Sequence, residues 1–166
     1  MIRKRRNSTT AAPGRTLALI ENKQRTVPLR LRPLRLFLRR VLRELGLAPG
    51  SLAIRLIDDE EMARLNQTYR KKQGSTDVLS FPAIERRKPL RTWRAPKRSL
   101  YRFLGDIAIS PAAARRNAKS LGRKLPDELH ILILHGALHL LGFDHEADRG
   151  EMERIELRLR RRLGIL

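Results

Sequence analysis

The sequence predicts an α/β or α+β sandwich in which about five helices pack on a sheet of four strands. Short apolar segments alternate with longer segments whose apolar residues recur at helical spacing. The length of 166 residues favours one domain, and 41% hydrophobic residues suffice for a core. Residues 1–14 are basic and then rich in small and turn-forming residues, so we expect a flexible basic arm there and a single domain over residues 15–166.

In the first half of the chain, strands and helices are expected to alternate. Apolar residues recur at helical spacing from Leu34 to Leu45, and Gly46 supplies the stop. Asp58 or Asp59 caps the next helix, which runs to about Tyr69. The four predicted strands are Leu17 to Ile20, Leu52 to Ile57, Asp77 to Phe81 and Leu104 to Ile109.

Three further helices are expected in the second half. Ser110 followed by Pro111 is typical of a helix start, and this helix closes near Gly122. The next opens at Pro126 and reaches Gly142; its apolar residues occupy every side, which predicts a central, buried helix. The last helix spans about Asp148 to Leu163, with apolar residues on one face and Gly164 as its cap.

The charge of the chain favours a polyanionic partner. Thirty-seven Lys and Arg oppose 17 Asp and Glu, a formal net charge of +20. Nucleic acid is one such partner and an anionic membrane surface is another; a GC-rich genome, which raises the arginine content of its proteins, would also explain the excess. The basic, turn-rich segment from Glu85 to Ser99, which carries Trp93, is either a solvated loop or an RNA-contacting one.

The sequence indicates no secretion signal and no membrane span. The basic start lacks the apolar run that follows in a signal peptide. No segment approaches the ~18 consecutive apolar residues that cross a bilayer. The absence of cysteine fits a reducing compartment and excludes thiolate metal sites and a cysteine nucleophile. We therefore expect a cytoplasmic protein with no membrane partner.

Three histidines predict a metal site on the central helix. His135 and His139 are four residues apart, so their imidazoles share one helix face. Gly142 can reverse the chain and return His145 to the same place. Three imidazoles with an open fourth position are typical of catalytic metal sites, where a bound water reaches a pKa of ~7. His130 lies about 140° from His135 on the helix and receives no ligand role.

The order HxxxHxxGxxH also matches the ligand spacing of metzincin proteases, but one residue argues against peptide hydrolysis. Those enzymes carry Glu directly after the first His as general base. Here Gly136 occupies that position. A metalloprotease thus remains an alternative that lacks its base.

The chain resembles the YbeY family of bacterial rRNA-maturation endoribonucleases. The resemblance covers roughly residues 52–166 and has its most specific part in the histidine motif. It rests on four segments: Asn66 to Arg70 with Ser75 to Pro82, Leu104 to Ser110, His135 to His145, and Glu151–Met152 with the terminal helix ending at Leu163–Gly164.

This resemblance implies a zinc ion on His135, His139 and His145, in a mixed four-stranded sheet packed with helices. It implies single-strand-specific RNA cleavage, rRNA maturation at the 3′ end of 16S rRNA, and ribosome quality control. The partners implied are RNA, namely rRNA and ribosomal particles. It also assigns a functional role to Arg70, whose guanidinium can grip a phosphate through two hydrogen bonds.

Several alternatives stay open at this point. Asp144 is a candidate for orienting an imidazole, for general base, or for capping the turn after the helix. Asp77 and Asp106 either line the cleft or bond nearby backbone. Other divalent transition metals suit three imidazoles as well. Besides a metal-dependent endoribonuclease, the sequence admits a non-catalytic ribosome-assembly factor with a structural metal.

Overall fold

A computed structural model describes residues 19–84, 103–144 and 148–165, apart from the side chain of Leu19. The predicted basic arm at residues 1–14, the loop from Glu85 to Ser99 and the candidate ligand His145 all lie outside these residues. The division into an arm and one domain therefore stays a prediction.

The four strands form one mixed sheet, as expected. They are β1 (Leu19–Asn22), β2 (Leu52–Leu56), β3 (Val78–Pro82) and β4 (Gly105–Ile109). In the order β1-β2-β4-β3, the first two pairings are parallel and the last is antiparallel. Strand β3 lies at an edge of the sheet, where a proline at its end removes no ladder hydrogen bond that the sheet needs.

Five α-helices are found in the described ranges, and the α+β class is confirmed. The cap of the third was predicted correctly: Ser110 Oγ accepts a hydrogen bond from the backbone N–H of Ala113 at 3.2 Å. The helices are α1 (Leu31–Glu44), α2 (Asp59–Leu65), α3 (Pro111–Ser120), α4 (Leu125–Leu140) and α5 (Glu151–Leu163).

The end of the second predicted helix was wrong in one respect. Helix α2 stops at Leu65, and residues Asn66–Arg70 continue it as one π-helical turn, here called the π-turn. The backbone N–H of Lys71 donates to the carbonyl of Asn66, which widens the turn by one residue. Arg70, expected in the loop after a helix ending at Tyr69, is therefore the last residue of this turn.

Two other element boundaries, the end of β1 and the start of α5, differ from the prediction for local reasons. Strand β1 runs on to Asn22 because its parallel pairing with β2 continues to Leu56. Helix α5 begins at Glu151 and not at Asp148, because the carboxylate of Asp148 precedes the helix as its cap. It accepts backbone hydrogen bonds from Gly150 at 2.7 Å, Glu151 at 3.0 Å and Met152 at 2.8 Å.

Helix α4 is the central, buried helix that its sequence predicts. It packs on strands β3 and β4 and also contacts helices α1, α3 and α5. Its buried residues include Leu134, Ala137 and Leu138, none of which exposes any side chain to solvent. The histidines on α4 are thus carried by a helix that is packed on several sides. No helix in the described ranges is long and apolar enough to cross a membrane.

Helix α1 has an unusual arrangement of charge. Arg32, Arg35, Arg39 and Arg43 lie three or four positions apart and are all exposed, so they form a row along the helix. The first turn of α1 carries no acidic residue, whereas α2, α4 and α5 each begin with acidic side chains that suit the helix dipole. The row of like charges and the first turn of α1 are therefore electrostatically unfavourable to the helix, whereas Arg43 in the last turn suits the helix dipole.

Candidate metal centre and RNA cleft

His135 and His139 lie side by side on α4, as their spacing predicts. Their ring centroids are 4.7 Å apart at an interplanar angle of 75°, and the two Nε2 atoms are separated by 3.1 Å. A tetrahedral metal with bonds of 2.0–2.1 Å holds two nitrogen ligands about 3.3–3.4 Å apart. Both the donor chemistry and the nitrogen separation therefore fit a metal ion.

Glu156 on α5 fixes the orientation of His135, and sequence reasoning did not find it. Its Oε2 lies 2.9 Å from His135 Nδ1, while its Oε1 accepts from Arg160 Nε at 3.0 Å. Burial raises the pKa of the Glu156 carboxyl, but the hydrogen bond from His135 and the charge of Arg160 outweigh it, so the pKa is lowered. An ionised carboxylate only accepts hydrogen bonds, so Nδ1 of His135 donates to it, and Nε2 is the ring nitrogen that faces His139.

A signal for Glu156 was present in the sequence. Glu156 lies four residues after Met152 and three before Leu159, within the apolar stripe of the last helix. In the structure it is 7% exposed, like its apolar neighbours. A carboxylate at a position that the helical pattern assigns to the core requires a buried partner, which indicates a functional or structural contact.

An open cleft of about 1000 Å³ brings the candidate residues together. The end of α4 contributes His135 and His139, the π-turn contributes Arg70, and the residues after α4 contribute Asp144. Strand β3 also lines the cleft. Arg70 is exposed in this cleft, so its guanidinium can reach a ligand there. Residues from distant parts of the sequence thus share one concave surface, which is the usual form of a binding site.

The remaining candidates have mixed outcomes. Asp77 lines the cleft and also makes local bonds: its Oδ1 accepts from Val78 N at 2.8 Å and its Oδ2 from Asn117 Nδ2 at 2.9 Å. Asp106 is exposed on β4 and does not line the cleft. The role of the Asp144 side chain stays a prediction.

His130 lies apart from the cleft histidines, in agreement with the helical angle. Its ring stacks on Phe37 with centroids 4.0 Å apart. Burial, partly offset by the charge of Asp127, lowers the pKa of His130 and keeps the imidazole neutral. It has the environment of a core histidine.

Gly136 faces the sheet and not the cleft. A Cβ at this position would meet Ile107 Cγ2 at 2.8 Å and Ile107 Cδ1 at 3.0 Å. Ser80 Oγ also donates to the Gly136 carbonyl at 3.1 Å. A glutamate here would therefore collide with Ile107 on β4, which is a second argument against a protease.

The described ranges contain no cluster of three His, Cys, Asp or Glu side chains around this histidine pair. The third predicted ligand, His145, lies outside those ranges. The three-histidine site therefore stays a prediction, of which the structure describes two members.

Comparison with known proteins assigns the family. A sequence model of the family described as Endoribonuclease YbeY matches residues 19–164. The chain belongs to this family. It is 42% identical over 132 residues to the endoribonuclease YbeY of Koribacter versatilis, covering 80% of this chain and 76% of that protein. It is 43% identical over 129 residues to the endoribonuclease YbeY of a Jannaschia species, covering 75% of this chain and 80% of that protein.

A solved structure supports the same conclusion for the fold. The solution structure of TM1509 from Thermotoga maritima is similar, with a TM-score of 0.56 and 25% sequence identity. The match covers 87% of this chain and 89% of that one. The prediction of a YbeY family member with an α+β fold and a mixed four-stranded sheet is confirmed, and with it the assignment to an enzyme family of RNA nucleases.

Proposed function

We propose that this YbeY family member is a zinc-dependent, single-strand-specific endoribonuclease that acts in rRNA maturation, notably at the 3′ end of 16S rRNA, and in ribosome quality control. Its partners would be rRNA and ribosomal particles in the cytoplasm. The observation that carries the proposal is the meeting of Arg70 with the His135–His139 pair in one cleft. A phosphodiester needs both a cationic grip and a hydrolytic centre, and this cleft can supply both.

His135, His139 and, from the sequence motif, His145 would hold one zinc ion. When bound, the metal would supply an activated water near neutral pH and neutralise charge on the phosphate. The paired Nε2 atoms and the carboxylate behind His135 support this assignment. Other divalent transition metals bind imidazole as well, so the proposal of zinc needs its own measurement.

The side chains of the chain itself would bind and orient the RNA. Arg70 would grip two phosphate oxygens with parallel hydrogen bonds and stabilise the charge that develops on them. Glu156 would keep the proton of His135 on Nδ1, with Arg160 holding the carboxylate in place. The excess of basic residues would attract the RNA backbone and make binding weaken steeply with salt.

The proposal is tested by cleavage of end-labelled 16S rRNA precursor with purified protein. Native, chelator-stripped and zinc-restored samples are compared with His139→Ala, and with His130→Gln as a control histidine outside the cleft. We expect activity to be lost on stripping, regained with zinc, absent in His139→Ala and kept in His130→Gln. Equal cleavage in every lane would mean a contaminating nuclease. Stoichiometric zinc without any cleavage would favour an assembly factor.

A further inference from the structure

Tyr69 is a large aromatic side chain exposed at the rim of the cleft. It is 65% exposed and lines the cleft directly before Arg70. Aromatic residues make up only 4% of the chain, and an aromatic side chain usually buries most of its surface. An exposed ring beside Arg70, which is proposed above to bind phosphate, could contact a ligand that has both an aromatic and an anionic part.

The Tyr69 ring is held in position from one side. It meets the ring of Phe81 on β3 in a T-shaped contact, with centroids 5.1 Å apart and an interplanar angle of 74°. Phe81 in turn packs against the small core cluster that contains Ile57 and Met62. Most of the Tyr69 surface therefore stays exposed, while one aromatic contact connects the ring to a residue packed on the core.

The backbone just after Tyr69 and Arg70 includes one residue in an unfavourable conformation. The π-turn is followed by Lys71 at φ 56°, a left-handed conformation that a lysine rarely adopts. Buried Asn66 secures the segment by donating from Nδ2 to the Gly74 carbonyl at 2.9 Å. Such turns and strained residues persist at functional sites, where they aim side chains. Two adjacent residues of this turn, Tyr69 and Arg70, both line the cleft.

We propose that Tyr69 is a stacking platform for one nucleobase of single-stranded RNA, with the neighbouring phosphate on Arg70. The inference rests on the proposed function and names the group that selects single strands. A base inside a duplex is stacked on both sides and paired, so its face is closed to a protein ring. An unpaired base offers its face, and stacking accepts any of the four bases.

Equilibrium binding tests the platform without relying on cleavage. The probe is a fluorescein-labelled ten-nucleotide single-stranded RNA, followed by anisotropy at fixed salt with the full chain. Loss of one base stack, worth about 1–3 kcal/mol, should weaken binding by Tyr69→Ala about 5- to 150-fold. Tyr69→Trp should keep the affinity. Tyr69→Leu, which restores apolar surface without a π face, should bind as weakly as Tyr69→Ala.

Phe103→Ala is the control variant. It removes a ring that is 43% exposed but does not line the cleft, and it should bind the RNA like wild type.

A second arm identifies the stacked base and the selectivity. The same RNA is prepared with one abasic nucleotide at each position in turn. Wild type should lose affinity most at one position, and Tyr69→Ala should be insensitive to that position, which gives a coupling between ring and base. Binding to a duplex of the same length should not change in Tyr69→Ala.

Three results would overturn the platform: unchanged affinity in Tyr69→Ala, full rescue by Tyr69→Leu, or equal loss on single-stranded and duplex RNA. Failure of the proposed function is distinguishable. A chain that never cleaves RNA but shows the coupling keeps the platform and loses the enzyme assignment, whereas a cleaving chain without the coupling does the reverse.

Discussion

Glu156 on α5 holds the Nδ1 of His135 on α4 at 2.9 Å, across 21 positions of sequence, and so decides which imidazole nitrogen points into the cleft. The contact is partly buried and continues to Arg160, so side chains of the two helices share one polar network. Such a network is stable only when every member keeps its partner.

Glu156→Gln should lower zinc affinity about 10- to 100-fold, because a neutral amide no longer stabilises the Nδ1–H tautomer of His135 or balances Arg160. Competition with a chelator of known affinity measures the change. Glu153→Gln, an exposed residue on the same helix, is the matched control and should bind zinc like wild type. Equal affinity in the two variants would mean that Glu156 does not act on the metal site.

Arg70→Ala should reduce single-turnover cleavage about 100- to 1000-fold, since a donor aimed at developing charge contributes that much in other enzymes. Arg70→Lys should recover only part of the loss, because an ammonium does not bind two oxygens in parallel. Arg64→Ala removes an exposed arginine in the last turn of α2, outside the cleft, and should cleave normally. An equal loss of cleavage rate in Arg70→Ala and Arg64→Ala would mean that Arg70 contributes only general positive charge.

Gly136→Ala should destabilise the fold by about 1–3 kcal/mol, because its Cβ overpacks the contact with Ile107. The free energy of unfolding from denaturant titration measures this. Combining Gly136→Ala with Ile107→Ala should cost less than the sum of the two single changes, since the new methyl group enters the space that the isoleucine leaves. Strict additivity would contradict the packing explanation.

Asp148→Ala should lower the melting temperature at neutral pH and have a smaller effect in acid. Hydrogen bonds from the backbone of Met152, Gly150 and Glu151 outweigh desolvation and hold the pKa of Asp148 below its ordinary value of 3.8. A lowered folded-state pKa contributes stability above the unfolded value, and this stability is lost as the pH falls through the folded value. The melting curves of wild type and variant should therefore converge below pH 3.8. A constant difference down to the lowest pH would show that the cap acts without its charge.

Arg39→Glu should stabilise the protein by about 1 kcal/mol at low salt. The change replaces two like-charge contacts, with Arg35 and Arg43, by two ion pairs at i,i+4 spacing, each worth about 0.2–0.5 kcal/mol either way. Thermal unfolding at two salt concentrations measures the gain, which should shrink at high salt. Arg39→Gln, which only removes the two repulsions, should give roughly half of this gain in stability. A loss of stability would mean that the row makes favourable contacts with other parts of the chain.

The sequence predicted those features that depend on periodicity along one element. The burial of α4 and the pairing of His135 with His139 follow directly from helical spacing. The π-turn was missed because one inserted residue changes the backbone hydrogen bonds without changing the apolar pattern. That error placed Arg70 in a loop.

Contacts between elements could not be read in the same way. Glu156 reaches His135 only because α5 packs on α4, and no local pattern specifies which helices meet. Arg70 was found through the family resemblance, since a surface arginine in so basic a chain has no distinctive local signal. The reason for Gly136 likewise lies in its neighbour Ile107 on the sheet.

The burial of α4 divides the cleft into two parts with different freedom to adapt. The wall that carries the histidines is locked between the sheet and three helices, so it cannot shift to accommodate a poorly fitting substrate. The π-turn, in contrast, is short and presents the exposed ring of Tyr69 and the exposed Arg70 at the rim. Differences in RNA preference between relatives should therefore arise by substitution along the rim, while the histidine wall tolerates little change.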